Sequence, residues 1–210
     1  MNATDLRRGL AADAIRGHRL IAVLRRVEPR DALLRLVDEL ASVGVRVFEI
    51  TMDASEGADD LAAVRSHLAG RDCLVGAGTI LRRVQLDAAR GAGADFAVAP
   101  VLDPELLHGA VEAGMPFIPG AMTPTEAATA WDAGATFVKL FPASAVGPAF
   151  VRELRGPLPE VQLIPTGGIH AANAAAFLEA GAVAIGIGSA LTRATAEERR
   201  ALVTTLAAAP

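Results

Sequence analysis

Ala133-Gly134-Ala135-Thr136-Phe137-Val138-Lys139-Leu140-Phe141-Pro142 holds a helix-to-strand joint, a short apolar strand and a charge inside that strand. A glycine between alanines suits the left-handed position just past a helix end, and the run after it reads as a strand. The same small phrase returns as Ala92-Gly93-Ala94, Ala113-Gly114-Met115 and Ala180-Gly181-Ala182. Working outward from these joints, apolar runs predict strands at 20–25, 45–51, 73–79, 96–100, 116–121, 136–142, 162–167 and 183–189. Between and after them, helical patterns fall at 31–42, 58–68, 84–90, 104–113, 124–132, 149–154, 171–180 and 197–207, and an extra N-terminal helix at 4–17. Eight β-then-α units predict an α/β chain folded as a (β/α)8 TIM barrel with an additional N-terminal helix, in a single domain over residues 1–210. A doubly wound open sheet is the competing fold. It calls for a Gly-rich loop after the first strand, where this chain has Leu24-Arg25-Arg26-Val27-Glu28 instead.

Composition narrows the function classes. Hydrophobic residues make up 52% and aromatics only 4%, so the interior is built from aliphatic side chains, as expected of buried parallel strands. No apolar stretch is long enough to span a bilayer, and the opening residues carry no signal-peptide core, which predicts a cytoplasmic protein. Cys73 is the only cysteine, which excludes an internal disulfide and a Cys-based zinc site. His18, His67, His108 and His170 are scattered through the predicted helices without paired ligand spacing, so neither metal nor cofactor is expected. A formal net charge of −4 with no basic stripe argues against nucleic acid or an anionic membrane and leaves a small molecule as the partner.

Of 20 basic side chains 19 are arginine, and the one lysine, Lys139, lies in the apolar run. Lysine can lose its proton and attack a carbonyl; arginine cannot. Burial among apolar side chains penalises an ammonium and so favours the nucleophilic amine. In a barrel the chemistry sits at the C-terminal strand ends. That inventory is Arg25, Glu49, Thr51, Asp53, Thr79, Thr123, Lys139, Thr166, Gly167, Gly168, Gly188 and Ser189. Strand alternation puts Phe137, Lys139 and Phe141 on one side, and Val47, Glu49 and Thr51 on one side of the second strand. If both sides face inward, Lys139 could form a Schiff base with Glu49 moving protons; the competing reading is a buried ion pair with no catalytic duty.

Ile164-Pro165-Thr166-Gly167-Gly168-Ile169 and Gly186-Ile187-Gly188-Ser189 end the seventh and eighth predicted strands, where glycines let backbone N–H groups approach a phosphate. Gly76-Ala77-Gly78-Thr79 has two readings: close packing alone, or Thr79 presenting its hydroxyl to substrate. Arg25 could receive a carboxylate, or pair at the rim with Glu28. Thr123-Pro124-Thr125-Glu126 reads as a helix N-cap with a capping box, giving Glu126 no catalytic part.

Phe48-Glu49-Ile50-Thr51, Gly76-Ala77-Gly78-Thr79, Pro119-Gly120, Thr123-Pro124-Thr125-Glu126, Val138-Lys139-Leu140-Phe141-Pro142-Ala143 and Pro165-Thr166-Gly167-Gly168-Ile169 occur in that order. Together they resemble the class I aldolases for 2-keto-3-deoxy-6-phosphogluconate (KDPG) and 4-hydroxy-2-oxoglutarate (KHG). The resemblance implies a homotrimeric barrel that splits the phosphorylated keto acid into pyruvate and glyceraldehyde 3-phosphate. It implies Lys139 as the Schiff-base residue and Glu49 as general acid/base. It gives the carboxylate end to Arg25 and Thr79, and the phosphate to Gly167, Gly168, Gly188 and Ser189, with Thr166 among the substrate-binding positions. Many members carry an arginine four residues after the catalytic glutamate, where this chain has Asp53. A carboxylate there would repel a dianionic substrate, which keeps the galactonate-derived epimer, or another pyruvate aldolase role, as alternatives. Two rivals come from other classes: a non-covalent phosphate-binding isomerase or synthase, and a non-catalytic trimeric barrel scaffold.

Overall fold

The computed structural model describes residues 3–209; Met1, Asn2 and Pro210, the ends of the single domain expected from the sequence, lie outside the described residues. Helix α1 (Ala3–His18) leads into β1 (Leu20–Leu24), α2 (Arg30–Ser42), β2 (Val47–Thr51), α3 (Gly57–His67), β3 (Leu74–Gly78), α4 (Arg83–Gly91) and β4 (Ala97–Val98). Then follow α5 (Pro104–Glu112), β5 (Phe117–Ile118), β6 (Gly120–Ala121), α6 (Pro124–Asp132), β7 (Val138–Leu140), a 3-10 turn (Ala143–Ala145) and α7 (Gly147–Arg155). The chain closes with β8 (Leu163–Pro165), α8 (Ala171–Glu179), β9 (Ile185–Ile187), a short α9 (Ser189–Thr192) and α10 (Ala196–Ala208). No described helix is long and apolar enough to cross a membrane.

All strand pairs are parallel, in two sheets ordered β5-β4-β3-β2-β1-β9 and β6-β7-β8. The strand expected at 116–121 is thus two segments, parted at Pro119, whose missing N–H interrupts the ladder while its carbonyl still accepts Lys139 N at 2.9 Å. Between β8 and β9 the contact thins to one parallel bridge, Thr166 to Gly186, and a 3.0 Å bond from Val183 N to the Leu163 carbonyl. The last expected strand also ends sooner: after Ile187 the chain turns at Gly188, and Ser189 opens α9. The result is a curled parallel sheet with helices against its outer face.

Two apolar clusters follow from the period-2 alternation of the strands. Leu20, Ala22 and Leu24, with Phe48, Ile50, Val138 and Leu140, belong to the larger cluster, packed with helix residues such as Leu33, Val37 and Leu61. Ile21, Val47, Phe96, Phe137 and Ile164 point to the other side and meet Ala12 and Ile15 of α1. Helix α1 therefore covers the N-terminal strand ends, and Arg16 lies 5.2 Å over the Phe137 ring while donating to Gln162 Oε1 at 2.8 Å.

The joints form as their sequence dictates. Past α6, Gly134 takes φ +91 and donates to the Trp131 carbonyl at 2.9 Å, and Ala135 N reaches Ala130 O at 3.0 Å. This bonding satisfies the last helix carbonyls and drops the chain into strand geometry at Thr136, whose N–H donates to Phe117 O. At the other end of α6, Thr123 caps the helix, and Glu126 accepts from the backbone N–H groups of Met122 and Thr123, each at 2.9 Å. Those bonds, the Met122 one foremost, hold the Glu126 carboxyl below its ordinary pKa.

Candidate active site

The inner face changes character along the strands. Glu49, Thr51, Thr79, Lys139 and Thr166 are all buried, and all lie toward the C-terminal strand ends. β2 and β7 are not neighbours in the sheet, yet alternation turns Glu49 and Lys139 inward, and Lys139 Nζ lies 3.8 Å from Glu49 Oε1. That separation is an ion-pair distance but longer than a hydrogen bond. Glu49 Oε1 is buried and has no hydrogen-bond partner, an arrangement that carries an energetic cost and leaves a free acceptor beside the amine. The Phe141 ring, two residues on along the same side, lies 5.2 Å from Nζ.

Glycines make this crowding feasible. A Cβ on Gly78 would collide with Glu49 Oε1, and one on Gly186 would collide with Thr166 Oγ1. Their absence of side chains makes room for the two polar groups.

A cavity of about 490 Å³ opens above Lys139, lined by Arg25, Thr166, Gly167, Gly168, Gly188 and Ser189 among others. It therefore brings together the lysine, the first-strand arginine and both glycine turns expected to form a phosphate cup. Glu49 and Thr79 are not part of its wall: Glu49 lies against the amine, and Thr79 against Arg25. The β8 turn is tight, with Gly167 at φ +88 and Gly168 at φ +73, and a Cβ on Gly168 would collide with the side chain of Ser144.

Arg25 is tied down by residues that follow the adjacent strands β2 and β3. Its Nη1 pairs with Asp53 Oδ2 at 3.1 Å and its Nη2 donates to Thr79 Oγ1 at 3.0 Å. The rim partner is thus Asp53, not Glu28. Arg26 joins the same carboxylate at 3.3 Å and donates to the Asp53 carbonyl at 3.1 Å. Burial alone would push the Asp53 carboxyl up, but the Thr51 hydroxyl and the charges of Arg25 and Arg26 outweigh it and hold the group below its ordinary pKa. The carboxylate expected to repel an anion at this rim is therefore countered by two arginines. Two residues that touch this knot, Arg26 at φ +47 and Thr79 at φ +57, occupy the left-handed region, which a β-branched residue such as threonine rarely adopts. Strain of this kind collects where geometry serves function.

Thr123 sits in the α6 cap, as its capping-box context indicates, and not in the cavity wall. One expectation changed. His170, grouped in the sequence with helical histidines, instead precedes α8 and lines the cavity. Its position directly after Thr166-Gly167-Gly168-Ile169 was the available signal. Val23, Pro100 and Ala190 also form the wall and carry no chemical signature in sequence.

A family model described as KDPG and KHG aldolase matches residues 12–205. The chain belongs to the KDPG and KHG aldolase family. It is 36% identical over 176 residues to a 2-dehydro-3-deoxy-6-phosphogalactonate aldolase of Escherichia coli (strain K12), covering 83% of this chain and 85% of the relative. It is 37% identical over 159 residues to a 2-dehydro-3-deoxy-phosphogluconate aldolase of Treponema pallidum (strain Nichols), covering 75% and 73%. Among solved structures, a KDPG aldolase from Legionella pneumophila, with pyruvate captured as a covalent carbinolamine intermediate, superposes with a TM-score of 0.78 at 25% identity, over 94% of this chain and 97% of the other. As a member of this family the chain is an aldolase, a carbon–carbon lyase.

Proposed function

We propose that this aldolase works through a Schiff base on Lys139, cleaving 2-dehydro-3-deoxy-6-phosphogluconate to pyruvate and glyceraldehyde 3-phosphate, and 4-hydroxy-2-oxoglutarate to pyruvate and glyoxylate. The observation that carries the reading is the buried amine 3.8 Å from an unpartnered carboxylate oxygen, facing a cavity with an anion-suited turn at one end. The neutral Nζ adds to the C2 carbonyl, and the carbinolamine loses water to give an iminium. Removal of the C4 hydroxyl proton breaks the C3–C4 bond, its electron pair moves into the iminium as an enamine, and the aldehyde half leaves. Protonation at C3 and addition of water then release pyruvate and restore the amine. Glu49, within reach of Nζ through its free Oε1, carries these protons. Arg25, with Thr79 behind it, holds the carboxylate end, and Thr166 faces the reacting carbons. Gly167, Gly168, Gly188 and Ser189 take the phosphate through backbone N–H groups. Since the iminium is itself the electron sink, turnover is expected to be unaffected by chelators.

A second reading, the galactonate-derived epimer as substrate, is favoured by the 36% identity to the E. coli enzyme of that name. Pyruvate release from each epimer, measured by coupled reduction, separates the two. A kcat/KM at least tenfold higher for the gluconate-derived compound supports the first, the reverse ratio supports the second, and no pyruvate from either refutes both. We further read β5 and β6 as one interrupted strand, so that the nine segments make a closed eight-stranded barrel with α1 across its base. The molecule is taken to be a cytoplasmic homotrimer; light scattering that returned the mass of one chain would contradict the assembly.

A further inference from the structure

The cavity above Lys139 does not end at the glycine turns. A second cleft of about 440 Å³ shares His170 and Ala190 with it and runs on past Ala171, Arg193 and Glu198. Arg193 is exposed, and among the described residues no carboxylate lies within ion-pair distance of it. Other arginines are committed: Arg30 binds Asp60 at 2.7 Å and Arg65 binds Asp95 at 2.6 Å. Glu198, which lines the same cleft, is itself engaged, accepting Thr195 N at 2.7 Å and Thr195 Oγ1 at 2.9 Å. Asn173 is fixed from two sides, accepting His170 N at 2.9 Å on Oδ1 and donating from Nδ2 to the Gly168 carbonyl at 3.0 Å. Its Nδ2 lies 3.3 Å from His170 Nε2, which couples the imidazole through Asn173 to the Gly168 turn.

We infer that His170 and Arg193 form a side-chain annex to the anion end of the cavity, which receives part of the terminal phosphate of the aldehyde half and selects for phosphorylated aldehydes. The inference rests on the proposed reaction. Backbone N–H groups supply a neutral seat in which a dianion stays undercompensated, and a cation in a contiguous cleft supplies the missing charge. Glu198 lines the same cleft, with its carboxylate engaged by Thr195.

The test is aldol condensation of pyruvate with glyceraldehyde 3-phosphate and with unphosphorylated glyceraldehyde, by wild type, Arg193→Ala and Arg193→Lys. Arg193→Ala is expected to lower the phosphorylated-over-unphosphorylated ratio of kcat/KM roughly threefold to tenfold, the scale of a partly exposed charge-assisted contact. The change is expected in KM, shrinking as salt is raised, with Arg193→Lys recovering most of the ratio. A wild type that condenses neither aldehyde refutes the proposed reaction. A wild type that prefers the phosphorylated aldehyde, with Arg193→Ala keeping the full preference, overturns the annex alone. A wild type with no phosphate preference overturns the annex and the phosphate seat while leaving the lysine chemistry standing.

Discussion

Phe137 and Lys139 are two residues apart on the same side of one chain segment, yet they belong to different worlds. Around Phe137, at the N-terminal strand ends, the inner face packs Ile21, Val47, Phe96 and Ile164, α1 adds Ala12 and Ile15, and Arg16 closes over the ring. Around Lys139, at the C-terminal ends, the inner face holds Glu49 and Thr166, with Thr51 and Thr79 nearby, all of them buried. Aliphatic and aromatic contacts at the base lower the energy of the fold. Polar groups kept out of water at the mouth raise it unless fully bonded, and Glu49 Oε1 is not. The difference teaches that the base contributes stability while the mouth carries an energetic cost, the division that the proposed reaction at the C-terminal strand ends would require.

The sharpest way to break this contrast is to remove the amine. Lys139→Met is expected to abolish retro-aldol turnover, and the double variant Lys139→Met with Glu49→Leu to remain inactive while unfolding at or above the wild-type midpoint. Replacing a buried ion pair by apolar side chains is often neutral or stabilising by about 1–4 kcal/mol. A double variant that unfolds several degrees earlier would show that the pair serves structure. Next, Glu49→Gln is expected to lower kcat about 10²- to 10⁴-fold, the range of a lost general acid/base, with little change in KM; steady-state kinetics decides it. Phe137→Ala, at the apolar end, should cost about 3–5 kcal/mol in denaturant unfolding, and its activity should recover with stabilising solutes. An equal loss of kcat at full folding would erase the distinction between the two ends.

The smallest effects belong outside both ends. Thr123→Ala removes the α6 cap and is expected to cost about 1 kcal/mol. Because the Glu126 carboxyl is held low by the Met122 and Thr123 bonds, its contribution is fully present above the ordinary glutamate pKa. It is lost as pH falls through the lower folded value. Glu126→Gln should therefore flatten the acid limb of the stability profile without moving activity near neutral pH.

Much of the fold and of the site is legible in the sequence. The glycine joints, the Thr123 cap, the inward alternation of Glu49 and Lys139 and the family motifs are local signals, fixed by backbone geometry within a few residues. The parts missed are those set by distant partners. Pro119 marks where a ladder can be interrupted, but that the segment before it pairs with β4 and the one after it with β7 depends on those distant strands. The pairing of Arg25 with Asp53 joins residues from two strand ends, and Glu28, closer in sequence, was the natural guess; the chain turns instead, through Arg26 at φ +47. His170 was overlooked because a lone histidine near a helix start carries no spacing signal, and its place in the cavity wall depends on the two glycines before it.

The central claim is a covalent bond between one amine and a 2-oxo acid. Incubating the protein with pyruvate and borohydride, then mapping the reduced adduct by peptide mass spectrometry, tests it directly. The account predicts irreversible inactivation with a single label on the peptide carrying Lys139. A label on any other residue, or undiminished turnover with no label at all, would contradict it.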